Sequence, residues 1–432
     1  MEKNYSETNI QPEQKYIVSL DNGIRREEPI TMEVFNNFKD GSQLVQLNNN
    51  VFGVFKSNSL NPDTMYIDDY DIIKSDIAEL FDVDHEESKR IVTEDQNIGV
   101  FTLLNYSKDI ETRISATTVI NHMLTYLNNG VIPEKDATWL TNVLEIPIYT
   151  KGNGIKSHDT IEDIIKLGLY ALIKEIELQT GTSIDTKVKR AIEKKYLRMI
   201  LFDYIVGRKY RGLDYCLISK QNEYKKPVWS DAYLSPISVT NSIDKDNLVG
   251  DNEYILNNKL VNKTALINTL FERFYPEIRK MSEAINDAKK LYIDAVIRII
   301  YNNTDLKNAS ILENDIVKNI QDIAKLQKEK ESKLAKEEKT NKVERTMATQ
   351  SINVRVTTKL DLIQKKYPIN PKDHPELLKE KKKQLEQEDI KLVVEEEKKS
   401  QGFATAAILI AAVSLICGIG IGIAYVLLTF GN

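Results

Sequence analysis

Histidine and cysteine are scarce in this chain, with four and two among 432 residues. No CxxC or HExxH run occurs, so neither a zinc ribbon nor a zincin-type hydrolase is written in it. There is no GxxxxGK[ST] loop and no GxSxG elbow, which excludes the usual P-loop and α/β-hydrolase signatures. A basic excess is also missing. Lysine and arginine number 59 against 64 aspartates and glutamates, a net charge of −5. That balance excludes the cationic footprint of a nucleic-acid binder, and no nucleic-acid partner is expected. Cys216 and Cys417 stand in a mixed segment and in an apolar run respectively, so no disulfide framework is expected.

What the chain does have is one long apolar run. Residues 402–432 carry no charged side chain, and 403–430 read FATAAILIAAVSLICGIGIGIAYVLLTF. A bilayer core takes roughly 20 apolar helical residues, so the run predicts one C-terminal transmembrane helix and a lipid bilayer as a partner. Lys398 and Lys399 flank its N-terminal side. Basic flanks stay cytoplasmic, so the expectation is a single-pass, tail-anchored protein of the plasma membrane with its body in the cytoplasm. Ser414, Gly418 and Gly422 recur every four residues in the run. Small residues at that spacing let two membrane helices approach closely, which predicts a homodimer through this face.

Ahead of the run the chain divides by composition. Residues 1–15 are polar and read as a flexible N-terminus. From 16 to 110 the pattern is short and strand-like. Leu44–Leu47 and Val51–Lys56 flank three asparagines, a hairpin signal. Ile72, Ile73, Ile77, Leu80 and Phe81 follow helical spacing, and a second hairpin is expected over 90–103. Residues 111–312 read as mostly helical, with helices over 117–128, 160–180, 187–206, 263–275 and 282–301, the fourth stopped by Pro276. Residues 313–401 are rich in lysine and glutamate and read as a charged, helical stalk. The expected class is therefore α+β: a strand-rich small lobe, a larger helical lobe, a stalk and an anchor.

Three stretches together resemble the HipA-like family of bacterial serine/threonine kinases, over roughly residues 40–300. The first is Tyr70–Leu104: an acidic residue opening a helix, then Ile77-Ala78-Glu79-Leu80-Phe81, then Val83-Asp84-His85-Glu86, then a hairpin. The second is Leu197–Ile218, where Phe202, Asp203 and Gly207 match the family's apolar helix and its end. The third is Pro227–Asp231. The resemblance implies a two-lobed, protein-kinase-like body that binds ATP and Mg. It implies nucleotide-binding roles for Lys56 on a small-lobe strand, Asp71 on the following helix and Arg211 in the catalytic loop. It implies metal roles for Asp231 and, after a shift of the loop, for Asp214.

The loop departs from the family pattern where the chemistry lies. Tyr210 occupies the place of the catalytic aspartate, Gly212 that of a histidine and Tyr215 that of the metal-binding asparagine. Phosphoryl transfer needs a carboxylate near the attacking hydroxyl and oxygen ligands on magnesium. A phenol, neutral at pH 7, does neither job well. The expectation is a membrane-tethered pseudokinase that binds and signals with a further protein partner. The alternatives are an active atypical kinase using Asp214 and Asp231 for magnesium, and a tail-anchored adaptor without nucleotide binding.

Overall fold

The computed structural model describes residues 14–21, 29–37, 42–48, 51–57, 67–94, 98–103, 110–115, 160–211, 215–221, 227–236, 250, 252–257, 259–304, 306–337, 357–374, 377 and 379. The expected helix over 117–128, Asp214, and the apolar run with Ser414, Gly418 and Gly422 lie outside them. Among the described residues no helix is long and apolar enough to cross a membrane.

Alternating apolar residues build the small lobe. Strands β1 (Gln14–Asp21), β2 (Ile30–Asn37), β3 (Gln43–Leu47), β4 (Val51–Ser57), β5 (Ser88–Thr93) and β6 (Ile98–Leu103) close into an antiparallel barrel of order β1-β2-β3-β4-β6-β5. Val18, Met32, Val34, Val45, Leu47, Phe55, Ile91 and Phe101 point inward and form its core. The two expected hairpins are present, pairing Val45 with Gly53 and Arg90 with Val100. Asn48 turns the first at φ 44°, a left-handed conformation that asparagine tolerates. Two glycines admit two rings on the β4–β6 pair. A Cβ on Gly53 would lie 2.1 Å from the Phe101 ring, and one on Gly99 would lie 2.5 Å from Phe55. With Phe55 turned into the barrel, period-two alternation turns its neighbour Lys56 to the other face.

Helix α1 (Ile67–Phe81) joins β4 to β5. Its apolar stripe, Ile72, Ile73, Ile77, Leu80 and Phe81, is buried. It ends in a Schellman turn. Val83 N–H donates to Ala78 O at 3.0 Å and Asp82 N–H to Glu79 O at 3.2 Å, with Asp82 left-handed at φ 57°.

The large lobe is mainly helical. Helix α2 (Ile161–Thr180) starts at a capping box between Thr160 and Asp163 and ends at left-handed Gly181. Helix α3 (Thr186–Ile205) is capped by Asp185 and stops before Gly207, φ 73°. Strands β7 (Ile110–Ser115), β9 (Tyr215–Gln221) and β10 (Pro227–Pro236) form one sheet, and β8 (Tyr210–Arg211), β11 (Glu253–Leu256) and β12 (Lys259–Asn262) another. Helices α4 (Lys263–Arg273), α5 (Tyr275–Asp287), α6 (Lys289–Asn303) and α7 (Leu306–Glu337) follow. Pro276 does end α4, but it also lies in the first turn of α5, where a missing N–H costs nothing. The expected single helix over 282–301 is divided at Ala288 between α5 and α6.

Part of the expected stalk packs on this lobe. Ile316, Ile320, Ile323 and Gln327 of α7 are each 0% exposed. Gln327 accepts from Ser282 at 2.7 Å and donates to Tyr275 at 2.9 Å. A solvated stalk would leave these groups in water, so residues 313–337 belong to the body. A further helix, α8 (357–366), also lies within the unit that ends at Asn370. Pro371–Asp373, a 3-10 turn, opens the second unit.

Candidate anion-binding cleft

The barrel and α3 leave a cleft beside the first turns of α1. Lys56 approaches its edge from β4, with Nζ 3.5 Å from Asp71 Oδ2 on α1. Lys74, one turn further along the helix, reaches the other carboxylate oxygen at 2.8 Å. The three side chains are 12%, 19% and 15% exposed, so the cluster is shielded yet open to solvent. Burial by itself would raise the Asp71 carboxyl, but Lys74, Lys56 and Arg208 together outweigh it and hold the group below the usual 3.8. Asp71 is therefore an anion among three cations.

Tyr70 ties this helix to the large lobe. Its hydroxyl donates to Val206 O at 2.6 Å, and Lys74 Nζ sits 4.8 Å above its ring centroid. Val206 and Gly207 close α3, and the left-handed glycine turns the chain so that Arg208 lines the cleft. Arg208 is buried, and its Nε donates to Tyr210 O at 2.6 Å. Strand β8 is pinned alongside β11 by Ile255 N–H to Lys209 O and Asn257 N–H to Arg211 O, both 2.8 Å. The short loop that carries the cations is thus fixed at both ends.

The floor of the cleft is a second ion pair of another kind. Arg211 Nε and one terminal nitrogen donate to the two oxygens of Asp203 at 2.8 and 2.6 Å, and Tyr254 adds a bond at 2.8 Å. Arg211 and Asp203 are 2% and 1% exposed. Burial first, then the Asp203 charge, pushes the Tyr254 phenol well above its ordinary value, so it remains a donor at all working pH.

The structure thus brings together Lys56 and Asp71, which were expected to meet, and sets Arg211 beneath them in a bidentate pair with Asp203. Tyr210 stands on β8, half-buried, with its carbonyl oxygen serving Arg208. Asp231 lies on β10. Lys74 and Arg208 are additions that the sequence reading did not single out. Lys74 was signalled by its i+3 spacing from Asp71, and Arg208 by its place just after a helix-stopping glycine.

A nucleotide with magnesium asks for cations toward its phosphates and carboxylates toward its metal. The cationic half is present in Lys56, Lys74 and Arg208. Among the described residues no group of three histidine, cysteine, aspartate or glutamate side chains stands close enough to hold a metal ion.

No family model matches the chain. No curated protein matches it either. Among solved structures, it is similar to the proinflammatory kinase CtkA of Helicobacter pylori, at 13% identity and a TM-score of 0.36, over 67% of this chain and 89% of that one. It is also similar to a chain of the Shewanella oneidensis MR-1 toxin–antitoxin complex of HipA, HipB and operator DNA, at 10% identity and a TM-score of 0.38, over 69% of this chain and 66% of that one.

Proposed function

We propose that the body is a kinase-like module that holds the phosphates of a nucleotide in the Lys56–Lys74–Arg208 cleft and works by binding rather than by phosphoryl transfer. One observation carries the reading: a lysine on a barrel strand meets an acidic residue on the following helix over an inter-lobe cleft, with two further cations at hand. Asp71 orients Lys56 and Lys74, with Arg208 beside them, while Asp84 and Glu86 line another part of the cleft. A multiply charged phosphate chain pairs with such cations as no neutral ligand would. Tyr210, at the position where the family resemblance calls for a catalytic carboxylate, supports binding over transfer. Magnesium, when bound with the nucleotide, would neutralise phosphate charge; Lys56, Lys74 and Arg208 contribute the cationic side of the site.

In this reading residues 402–432 tether the body to the cytoplasmic face of the plasma membrane, where it signals to a protein partner. Ser414, Gly418 and Gly422 would pair two copies. The test uses the full chain in detergent micelles. ATP should raise its melting temperature, because a ligand that binds only the folded state stabilises it, while labelled ATP should transfer no phosphate to the chain or to lysate proteins. Transfer of label would establish the active-kinase alternative. A flat melting temperature would leave the adaptor.

A further inference from the structure

Residues 357–370 form a clasp on the back of α1. On one side they hold α1 itself. Lys359 Nζ donates to Glu79 O at 2.8 Å and pairs with Asp82 at 3.1 Å. Lys366 Nζ pairs with Asp76 at 2.6 Å, and the Tyr367 hydroxyl donates to the same carboxylate. On the other side they hold α6 of the large lobe. Asn303 donates to the Tyr367 hydroxyl at 2.7 Å, Arg298 to Pro368 O at 3.2 Å, Asn302 to Ile369 O at 3.3 Å, and Asn370 to Asp294 at 3.2 Å. Ile363, Tyr367 and Asn370 are buried in the seam.

Asp76 is five residues after Asp71, about 140° around the helix at 3.6 residues per turn. The clasp therefore grips the side of α1 away from the cleft, while Asp71 and Lys74 face into it. A helix is stiff over two or three turns, so a shift at Asp76, Glu79 and Asp82 moves Asp71 and Lys74 with them. Tyr292 of α6 stacks on Phe81 at 4.7 Å and fixes the far end of α1; the clasp fixes its middle. In sequence, the clasp comes just before the charged segment that leads to the apolar run.

We infer that this segment is a built-in regulator of the cleft: seated, it holds α1 where Asp71 aligns Lys56 and Lys74, and unseated, it releases the helix and weakens the hold on an anionic ligand. The ligand arm of the inference rests on the function proposed above; the helix arm does not. Coupling of this kind is reciprocal, so a ligand in the cleft also steadies the clasp.

The test compares the full chain with the K359E/K366E variant, and with Tyr367→Phe, which keeps the ring in its seat. Backbone amide exchange is followed over 67–82 without ligand, and ATP affinity is measured by titration. Exchange over the first turns of α1 should quicken on the order of tenfold in the double variant and less in Tyr367→Phe, and ATP affinity should fall on the order of tenfold. Unchanged exchange over 67–75 in both folded variants overturns the inference, whatever ATP does. If the parent chain fails to bind ATP while exchange quickens, the clasp stands and the nucleotide reading falls. Equal ATP affinity in parent and variants, with exchange quickened, overturns the regulatory coupling.

Discussion

Two aspartates in one cleft lead opposite lives. Asp203 is sealed at 1% exposure, held by two bonds from Arg211 and a third from Tyr254. Asp71 is 19% exposed and meets two lysines, one at 2.8 Å and one only at 3.5 Å. The first pair has spent its geometry: three donors saturate the carboxylate and leave it no exchangeable partner. The second is looser and partly open to solvent. An ion pair that is bidentate and dry positions a chain; one that is slack and wet can trade its partner for a ligand.

The largest effect is expected from stripping the sealed pair. Arg211→Ala leaves a buried carboxylate without its counter-ion and should cost ~3–5 kcal/mol of unfolding free energy in a urea titration. A loss under about 1 kcal/mol would place Asp203 in a wetter setting than 1% exposure describes. Tyr254→Phe removes only the third donor and should cost about 1 kcal/mol. Lys56→Ala, in the open pair, should change stability by about 1 kcal/mol or less while abolishing the ATP-induced rise in melting temperature.

Acid sharpens the same contrast. The folded value of Asp71 is lowered, so its ionised form favours the native state. That contribution is complete above the usual 3.8 and is lost as pH falls through the lower folded value. In a K56A/K74A variant that loss should vanish, so parent and variant stability curves should converge below pH 3.8. Curves that stay parallel would remove the two lysines as the cause. A modest effect, away from the cleft, is expected of Gln327→Leu on α7. It exchanges a buried pair of hydrogen bonds to Ser282 and Tyr275 for apolar packing and should shift stability by about 1–2 kcal/mol.

The barrel hairpins and α1 were legible because one physical rule decided each. Val45, Gly53 and Phe55 alternate around an asparagine turn, and Ile73, Ile77 and Leu80 fall on one helical stripe. The Lys56–Asp71 meeting followed from a family resemblance and not from spacing, since the fourteen positions between them carry no contact information. Three things were hidden. The stripe Ile316, Ile320, Ile323 and Gln327 is sparse among lysines and glutamates, so composition spoke for a solvated stalk while three isoleucines were enough to seat α7. Pro276 marked the end of α4 but not the start of α5 at the same place, because in a first turn a proline's missing donor has no partner to lose. The clasp over 357–370 was invisible for a third reason: its bonds to α1 span nearly 300 residues, and local pattern carries no trace of them.

The cleft's role as an anion site is tested most directly by calorimetric titration of ATP into the full chain and into its K56A/K74A variant, with and without magnesium. Saturable binding is expected for the parent chain and at least a tenfold loss for the variant, the equivalent of about 1.4 kcal/mol or more. Equal affinity in the two chains, or no heat with the parent, would contradict it.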